Sequence, residues 1–210
     1  MTKLAIIGAG GHGRVVADCA HVTGLYEEII FLDDCFPERT SNARWQIIDT
    51  PDNWPSYAKD YAFIVAFGNN ELRRQYVEQL SQNKQRLISL VHPTAVIASG
   101  VDIGAGSVVF ANATINIGTS IGRGCILNTA CSVDHDCTIQ DFVHISPQAA
   151  IAGGVQIQQD SWIGINTTIK ECLTLAKHTQ TGAGSVIINN TESHTLYVGV
   201  PATAKKKLIS

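Results

Sequence analysis

The chain has 210 residues, a formal net charge of −3 and 45% hydrophobic residues, which allows one or two domains with a real core. The slight acidity excludes an electrostatic grip on nucleic acid or an anionic membrane, and the one basic run, Lys205-Lys206-Lys207, is a solvated tail. The apolar run Leu4–Ala9 is too short for a membrane span and lacks signal-peptide flanks, while six cysteines without a paired framework point to the reducing cytoplasm.

Residues 1–90 read as alternating strands and helices. Leu4–Ile7 is a short apolar strand, followed by Gly8-Ala9-Gly10-Gly11-His12-Gly13 and a helix from Arg14 to about Val22. Ile29–Leu32 is a second strand ending in Asp33-Asp34, and Tyr61–Phe67 a third, closing with Gly68-Asn69-Asn70. Glu71–Ser81 is a second helix and Leu87–Val91 a last strand, with an irregular connection between Trp45 and Pro55. The pattern predicts an α/β, Rossmann-like domain around a small parallel sheet of about four strands. Glycines at 8, 10 and 13 permit a tight strand-to-helix turn and let backbone approach a phosphate at the helix N-terminus. Asp33 and Asp34 then stand where a carboxylate binds ribose hydroxyls. The plain alternative is a glycine turn with surface aspartates. With only about 90 residues before the pattern changes, a mononucleotide or nucleotide-sugar fits better than a dinucleotide.

From Val91 to Ile187 an aliphatic residue returns at every sixth position, with Thr181 the single exception among seventeen. Two positions before each, the residue is mostly small, as at Ser107, Ala113, Thr119, Cys125, Cys131 and Cys137. A period of six fits neither an α-helix nor simple strand alternation. It marks a parallel β-helix in which three hexapeptides close one triangular coil of eighteen residues. Residues 91–210 are therefore expected to form an all-β domain of hexapeptide repeats, closed by a segment at Tyr197–Ala202 that covers otherwise unpaired strand edges.

Such a repeat gives chemistry few places to live, so its exceptions carry information. With Val133 and Cys137 inward, His135 and Asp136 fall on a corner, and a histidine flanked by Asp134 and Asp136 is held basic and in one tautomer. That suits a general base near neutral pH; an ordinary solvated corner is the alternative. His144 occupies an outward position just before Ile145. Counting by eighteen puts His135 under Gly153, and the Gly153-Gly154 N–H groups become candidate oxyanion donors unless the glycines serve corner geometry alone. The same count puts Ile165 under Ala183. His135 and His144 stand on different walls and His178 and His194 are remote, so the spacing gives no metal site.

The whole chain resembles the left-handed β-helix sugar acetyltransferases of the PglD and NeuD type. The resemblance rests on Gly8 to Gly13, Phe31-Leu32-Asp33-Asp34, Phe67-Gly68-Asn69-Asn70-Glu71, His92-Pro93, Asn128-Thr129, Ser132 to Cys137, Gly164-Ile165-Asn166 and Val198 to Ala202. It implies an acetyl-CoA-dependent N-acetyltransferase acting on a nucleotide-linked 4-amino-4,6-dideoxy sugar. It further implies that Gly10, Gly11, His12, Asp33, Asp34, Phe67 and Gly68 hold the nucleotide-sugar, with Asn128 near the sugar. His135 maps onto the family base and Asp136 onto the carboxylate beside it, a position where PglD-type enzymes carry Glu. His144, Gly153, Ile165 and Ala183 match the acetyl-CoA groove, Ala183 in place of a glycine. The family is a homotrimer with sites between subunits and direct attack without a covalent enzyme intermediate. An O-acetyltransferase of the same fold and a non-enzymatic nucleotide-binding trimer scaffold are the rival readings.

Overall fold

The computed structural model describes residues 2–208 and divides the chain into two compact units, Met1–Pro93 and Thr94–Ser210. In the first, β1 (Thr2–Ile7), β2 (Tyr26–Leu32), β3 (Ser41–Asn42), β4 (Trp45–Asp49) and β5 (Tyr61–Val65) form one sheet in the order β3-β4-β2-β1-β5. All neighbours are parallel except the β3–β4 hairpin. β1 is an interior strand, paired with β2 and β5, and Leu4, Ala5, Ile6 and Ile7 have no solvent exposure, as a parallel strand covered on both faces requires. Helix α1 (Gly11–Thr23) follows β1 and α2 (Asn70–Gln82) follows β5. The Asn69 side chain caps α2 by accepting the Leu72 N–H at 2.9 Å.

Three expectations need correction. The segment 45–55 is not irregular, because Trp45 and Ile47 bury on β2 as strand β4, and Pro51–Tyr57 then forms a 3₁₀ turn. The sheet therefore has five strands. Helix α1 starts at Gly11, inside the glycine run, with Gly10 as an extended cap. The strand expected over 87–91 is reduced to a bridge from Leu87 to Phe63 and a separate two-residue strand, Leu90–Val91.

The second unit is a parallel β-helix of two-residue strands on three walls. The first wall runs through Thr114–Ile115, Ser132–Val133, Ala150–Ile151 and Thr168–Ile169. The second runs through Ser120–Ile121, Thr138–Ile139 and Gln156–Ile157. The third runs through Ile126–Leu127, His144–Ile145, Trp162–Ile163 and Gln180–Thr181. Each register step is eighteen residues: Ile115 pairs with Val133, Ile121 with Ile139 and Leu127 with Ile145. The inward aliphatic residues are buried, among them Ile115, Ile139, Ile145, Ile151 and Ile163. The one polar residue in their series, Thr181, is satisfied: its hydroxyl accepts the Gly164 N–H at 2.8 Å and pairs with Thr167 Oγ1 at 2.9 Å.

The corners have their own period. A residue with positive φ stands at every sixth position from Gly100 to Gly184, and non-glycine members such as Asn112, Ala130, Asp136 and Gln148 accept the left-handed conformation. Cys125, Cys131 and Cys137 are buried free thiols on the inward small positions. After the last coil, Thr195–Gly199 pairs parallel with Gln180–Thr181, and Ala202–Lys207 folds back antiparallel on it. This hairpin covers the edge of the third wall. No helix among the described residues is long and apolar enough to cross a membrane.

Candidate active site

The corner between the first and second walls carries His135 and Asp136, both side chains exposed. His135 Nδ1 lies 2.8 Å from Asp136 Oδ2. A carboxylate only accepts, so Nδ1 carries the proton and Nε2 presents its lone pair outward. The hydrogen bond to Asp136 is the main cause that raises the His135 pKa above its ordinary value, with the Asp134 charge adding to it.

The flanking coils make room for this pair. A Cβ on Gly153 would stand 2.7 Å from His135 Cε1 and Nε2, and one on Gly118 would overlap Asp136 Oδ1. The imidazole thus lies across Gly153 in the coil above, and the carboxylate across Gly118 in the coil below. The two neighbouring glycines, 153 and 154, have separate duties. Gly154 holds the left-handed corner with φ +70°, and its N–H donates to the His135 carbonyl at 2.9 Å. It is therefore not an oxyanion donor, contrary to the expectation for the glycine pair, and Gly153 alone keeps that candidacy.

A cleft of about 470 Å³ lies on the third wall, lined by Asn128, His144, Trp162, Ile165 and Gln180 among others. His144 points outward as expected, yet only 8% of it is exposed, because Trp162 in the next coil stacks on it with ring centres 5.3 Å apart and planes 8° apart. The Trp162 indole N–H donates to Ser146 Oγ at 3.0 Å, which fixes the indole plane. Asn128 accepts the Thr129 N–H with its amide oxygen at 2.8 Å, so its NH₂ faces His144 Nε2, 3.5 Å away. The structure therefore brings Asn128, His144 and Ile165 together but leaves His135, Asp136 and Gly153 on a different face of the same chain. Ala183 is exposed one coil above Ile165 and does not line this cleft.

In the first unit, the loops after β1 and β5 meet at the carboxyl ends of the strands, where the strand order reverses. Ligands of open α/β sheets bind at such a switch point. A Cβ on Gly8, whose φ is +106°, would press on the Phe67 ring at 3.0 Å, and one on Gly13 would strike the Gly8 carbonyl. Gly10 and Gly11 instead face open space, with nothing within 4 Å of an added Cβ. Gly8 and Gly13 serve packing, while Gly10 and Gly11 leave room for a ligand's approach.

Asp33 joins this loop. Its carboxylate accepts the Ala9 N–H at 2.5 Å and the Cys35 N–H at 3.1 Å, and Arg39 donates to the Ala9 carbonyl at 2.7 Å. Burial pushes the Asp33 pKa up, but hydrogen bonding from the Cys35 side chain and from the Ala9 and Cys35 N–H groups, with the Arg39 charge, outweighs it and holds the group below its ordinary value. Asp33 is thus a tie for the glycine loop, and Asp34 is the exposed carboxylate beside it. His12, at the start of α1, has its pKa pushed down to about 4, first by burial and then by the Arg73 charge. It is neutral at pH 7. Arg73 itself is buried and donates to the Phe67 carbonyl at 2.9 Å and to Asn70 Oδ1 at 2.8 Å, which shapes the Phe67–Gly68 loop.

Sequence reasoning missed Trp162, Asn116, Arg39, Asn42 and Arg73. Trp162 stands eighteen residues after His144 and Asn116 eighteen before Asp134, so the coil count finds both when applied to every polar or aromatic outward residue. Arg39, Asn42 and Arg73 leave no periodic signal. Among the described residues, no group of three or more His, Cys, Asp or Glu is placed to hold a metal ion.

Residues 3–80 match the family described as the PglD N-terminal domain. The chain is similar to the acetyltransferase domain of PglB from Neisseria gonorrhoeae FA1090, with 38% identity, 98% of this chain and 100% of that chain covered, and a TM-score of 0.94. A second structure of that domain, in complex with acetyl coenzyme A, is 39% identical, with 97% and 98% covered and a TM-score of 0.93. PerB from Caulobacter crescentus, in complex with CoA and GDP-perosamine, is 28% identical over 98% of both chains, with a TM-score of 0.92. GDP-perosamine N-acetyltransferase from Escherichia coli O157:H7 is 28% identical over 81% of this chain and 79% of its own length.

Proposed function

The chain belongs to the PglD-type family of left-handed β-helix nucleotide-amino-sugar N-acetyltransferases, and we propose that it moves the acetyl group of acetyl-CoA to the amine of a nucleotide-linked 4-amino-4,6-dideoxy sugar. The observation that carries the reading is the His135–Asp136 pair, 2.8 Å apart and laid across Gly153. It supplies a base whose free nitrogen faces solvent beside a backbone N–H.

In the reaction, the sugar amine attacks the thioester carbonyl and His135 Nε2 takes the amine proton. The Gly153 N–H donates to the oxyanion, and Asp136 steadies the imidazolium. The C–S bond then breaks as the C–N amide is kept, and the proton passes from His135 to the departing CoA sulfur. Asp136, like His135, acts in this step at the reacting corner. The glycine loop at Gly10 and Gly11, with His12, Asp34, Phe67 and Gly68, is assigned to the nucleotide-sugar, and Asp33 to holding that loop. Asn128, His144 and Ile165, with Trp162, are assigned to acetyl-CoA and the sugar end that meets it, and Ala183 to the outer edge of the groove.

A homotrimer is part of the proposal. His135 and the His144 cleft occupy different faces of one chain, and a neighbouring copy would set one chain's corner against another's cleft. The free cysteines are compatible with a reducing, cytoplasmic setting. The test is release of CoA thiol with UDP-, GDP- and dTDP-linked 4-amino sugars, on wild type and His135→Asn. Turnover by wild type, with a loss of about 10²–10⁴-fold in the variant, is expected. No turnover with any member of the panel, or a fully active variant, would overturn the reading.

A further inference from the structure

The corner that carries His135 is held more completely than the base and its Asp136 partner require. Asp134 Oδ1 accepts the His135 N–H at 2.8 Å and the Asn116 side-chain N–H from the coil below, also at 2.8 Å. From inside the prism, the Thr119 hydroxyl donates to the Asp134 carbonyl at 2.7 Å and accepts the Cys137 N–H at 3.1 Å. The Asp136 N–H donates to the Ile117 carbonyl at 3.1 Å, and the Gly154 N–H to the His135 carbonyl at 2.9 Å. The backbone around the base is thus tied to the coils on both sides.

We propose that Asp134 and Asn116 are positioning residues for His135: the Asn116 amide anchors the Asp134 carboxylate, and that carboxylate fixes the His135 main chain so that the imidazole lies over Gly153. The assignment rests on His135 being the base of the proposed reaction. Neither residue touches the imidazole, so each acts through the backbone or through charge. Asp134 adds a second effect, since its charge sits next to the ring in sequence and favours the protonated imidazole. Asn116 in turn is the main cause that holds the Asp134 pKa below its ordinary value, so the carboxylate stays charged wherever His135 works. The charged groups acting on His135 are Asp136 and Asp134. The coils below and above present Asn116, Gly118 and Gly153, all uncharged.

Two substitutions separate the effects. Asp134→Asn keeps an acceptor for the His135 N–H but removes the charge, whereas Asp134→Ala removes both. The titration of His135 is read directly from imidazole carbon NMR, with His135→Asn used to assign its signal. In parallel, kcat and KM are measured across pH. For Asp134→Asn, the His135 midpoint and the acid limb of kcat/KM move to lower pH, while the plateau kcat stays within about threefold. For Asp134→Ala the same shift comes with a loss in kcat of about tenfold and both KM values within about twofold, as expected for misplacement of a base. Asn116→Ala loses kcat in the same direction, with less movement of the limb, because the charge remains.

An unmoved His135 midpoint in Asp134→Asn, together with a wild-type kcat in Asp134→Ala, would overturn the proposal. So would equal losses in both Asp134 variants accompanied by raised KM values and lowered melting temperatures, the pattern of a general structural role. The NMR titration needs no turnover. Wild type without acetyl transfer would therefore end the reading of function, while the effect of Asp134 on His135 would still be decided by the imidazole signal.

Discussion

Gly153→Ala is the sharpest perturbation the geometry offers. Its Cβ would stand 2.7 Å from two atoms of the His135 ring, where ordinary contact begins at 3.4 Å, so reaching ordinary contact takes a retreat of about 0.7 Å. The ring is an exposed side chain with solvent to retreat into, so the fold should barely notice. Its function should. A retreat of that size strains the 2.8 Å bond to Asp136 and moves Nε2 by close to 1 Å, a displacement that costs on the order of 10²-fold in rate. The neighbouring substitution is the control. Gly154→Ala forces a side chain to accept φ +70° and to press on Cys172 Sγ at 3.3 Å, which costs about 1 kcal/mol in stability but leaves the ring where it is. The pair is read by initial rates of thiol release and by thermal melts. The expected outcome is a crossed pattern, with Gly153→Ala slow but stable and Gly154→Ala active but melting a few degrees lower. If Gly153→Ala keeps activity within about threefold of wild type, the ring does not work from its place over Gly153.

Other outcomes follow from the same geometry. His12 has a folded pKa of about 4 against 6.5 for the free side chain, so the unfolded chain binds a proton that the folded chain excludes. Stability should then fall as pH drops from 6.5 towards 4, by up to about 3 kcal/mol. His12→Gln should flatten that slope in urea unfolding at about pH 7 and pH 4.5; equal slopes would reject it. Asp33→Ala frees the Ala9 and Cys35 N–H groups and leaves Arg39 without its carboxylate, and should cost about 1–3 kcal/mol along with weaker nucleotide-sugar binding by calorimetry. Unchanged affinity would show that the loop is held by other means. Trp162→Ala uncovers His144 and opens one side of the cleft, so KM for acetyl-CoA should rise about tenfold with a smaller change in kcat. An unchanged KM would remove this cleft from the acetyl-CoA site. Because its partners raise the His135 pKa, kcat/KM should climb with pH through a midpoint above the ordinary histidine value, and an acid limb at or below that value would contradict the His135–Asp136 pairing.

How much was legible differs between the two units for a physical reason. In the β-helix, each side chain's direction follows from its place in a period of six and its neighbours from a count of eighteen, so the burial of Ile145 and the seat of His135 under Gly153 could both be read by arithmetic. The burial of His144 could not, because it depends on Trp162 covering an outward position, although the same count locates that tryptophan. In the first unit no such ruler exists. The end of β1, the start of β5 and the glycine turn were readable from composition, but β5 stops at Val65, two residues short of the expected Phe67. The hairpin of β3 and β4 was not readable, since Trp45 and Ile47 become a strand only by packing on β2. The ties from Arg39 and Asn42 to the Ala9 carbonyl come from that hairpin and the turn that leads into it.

Register also explains why His135, the proposed base, has an aspartate beside it. Position 136 belongs to the corner series in which every sixth residue takes a positive φ, and Asp136 does so at 58°. Aspartate and asparagine accept that conformation more readily than most side chains. From this backbone, the short side chain already reaches His135 Nδ1 at 2.8 Å while lying across Gly118. The shortness of aspartate relative to glutamate therefore costs no reach. The same fact constrains the coil below: with any side chain in place of Gly118, the carboxylate would have to leave the position from which it holds the imidazole.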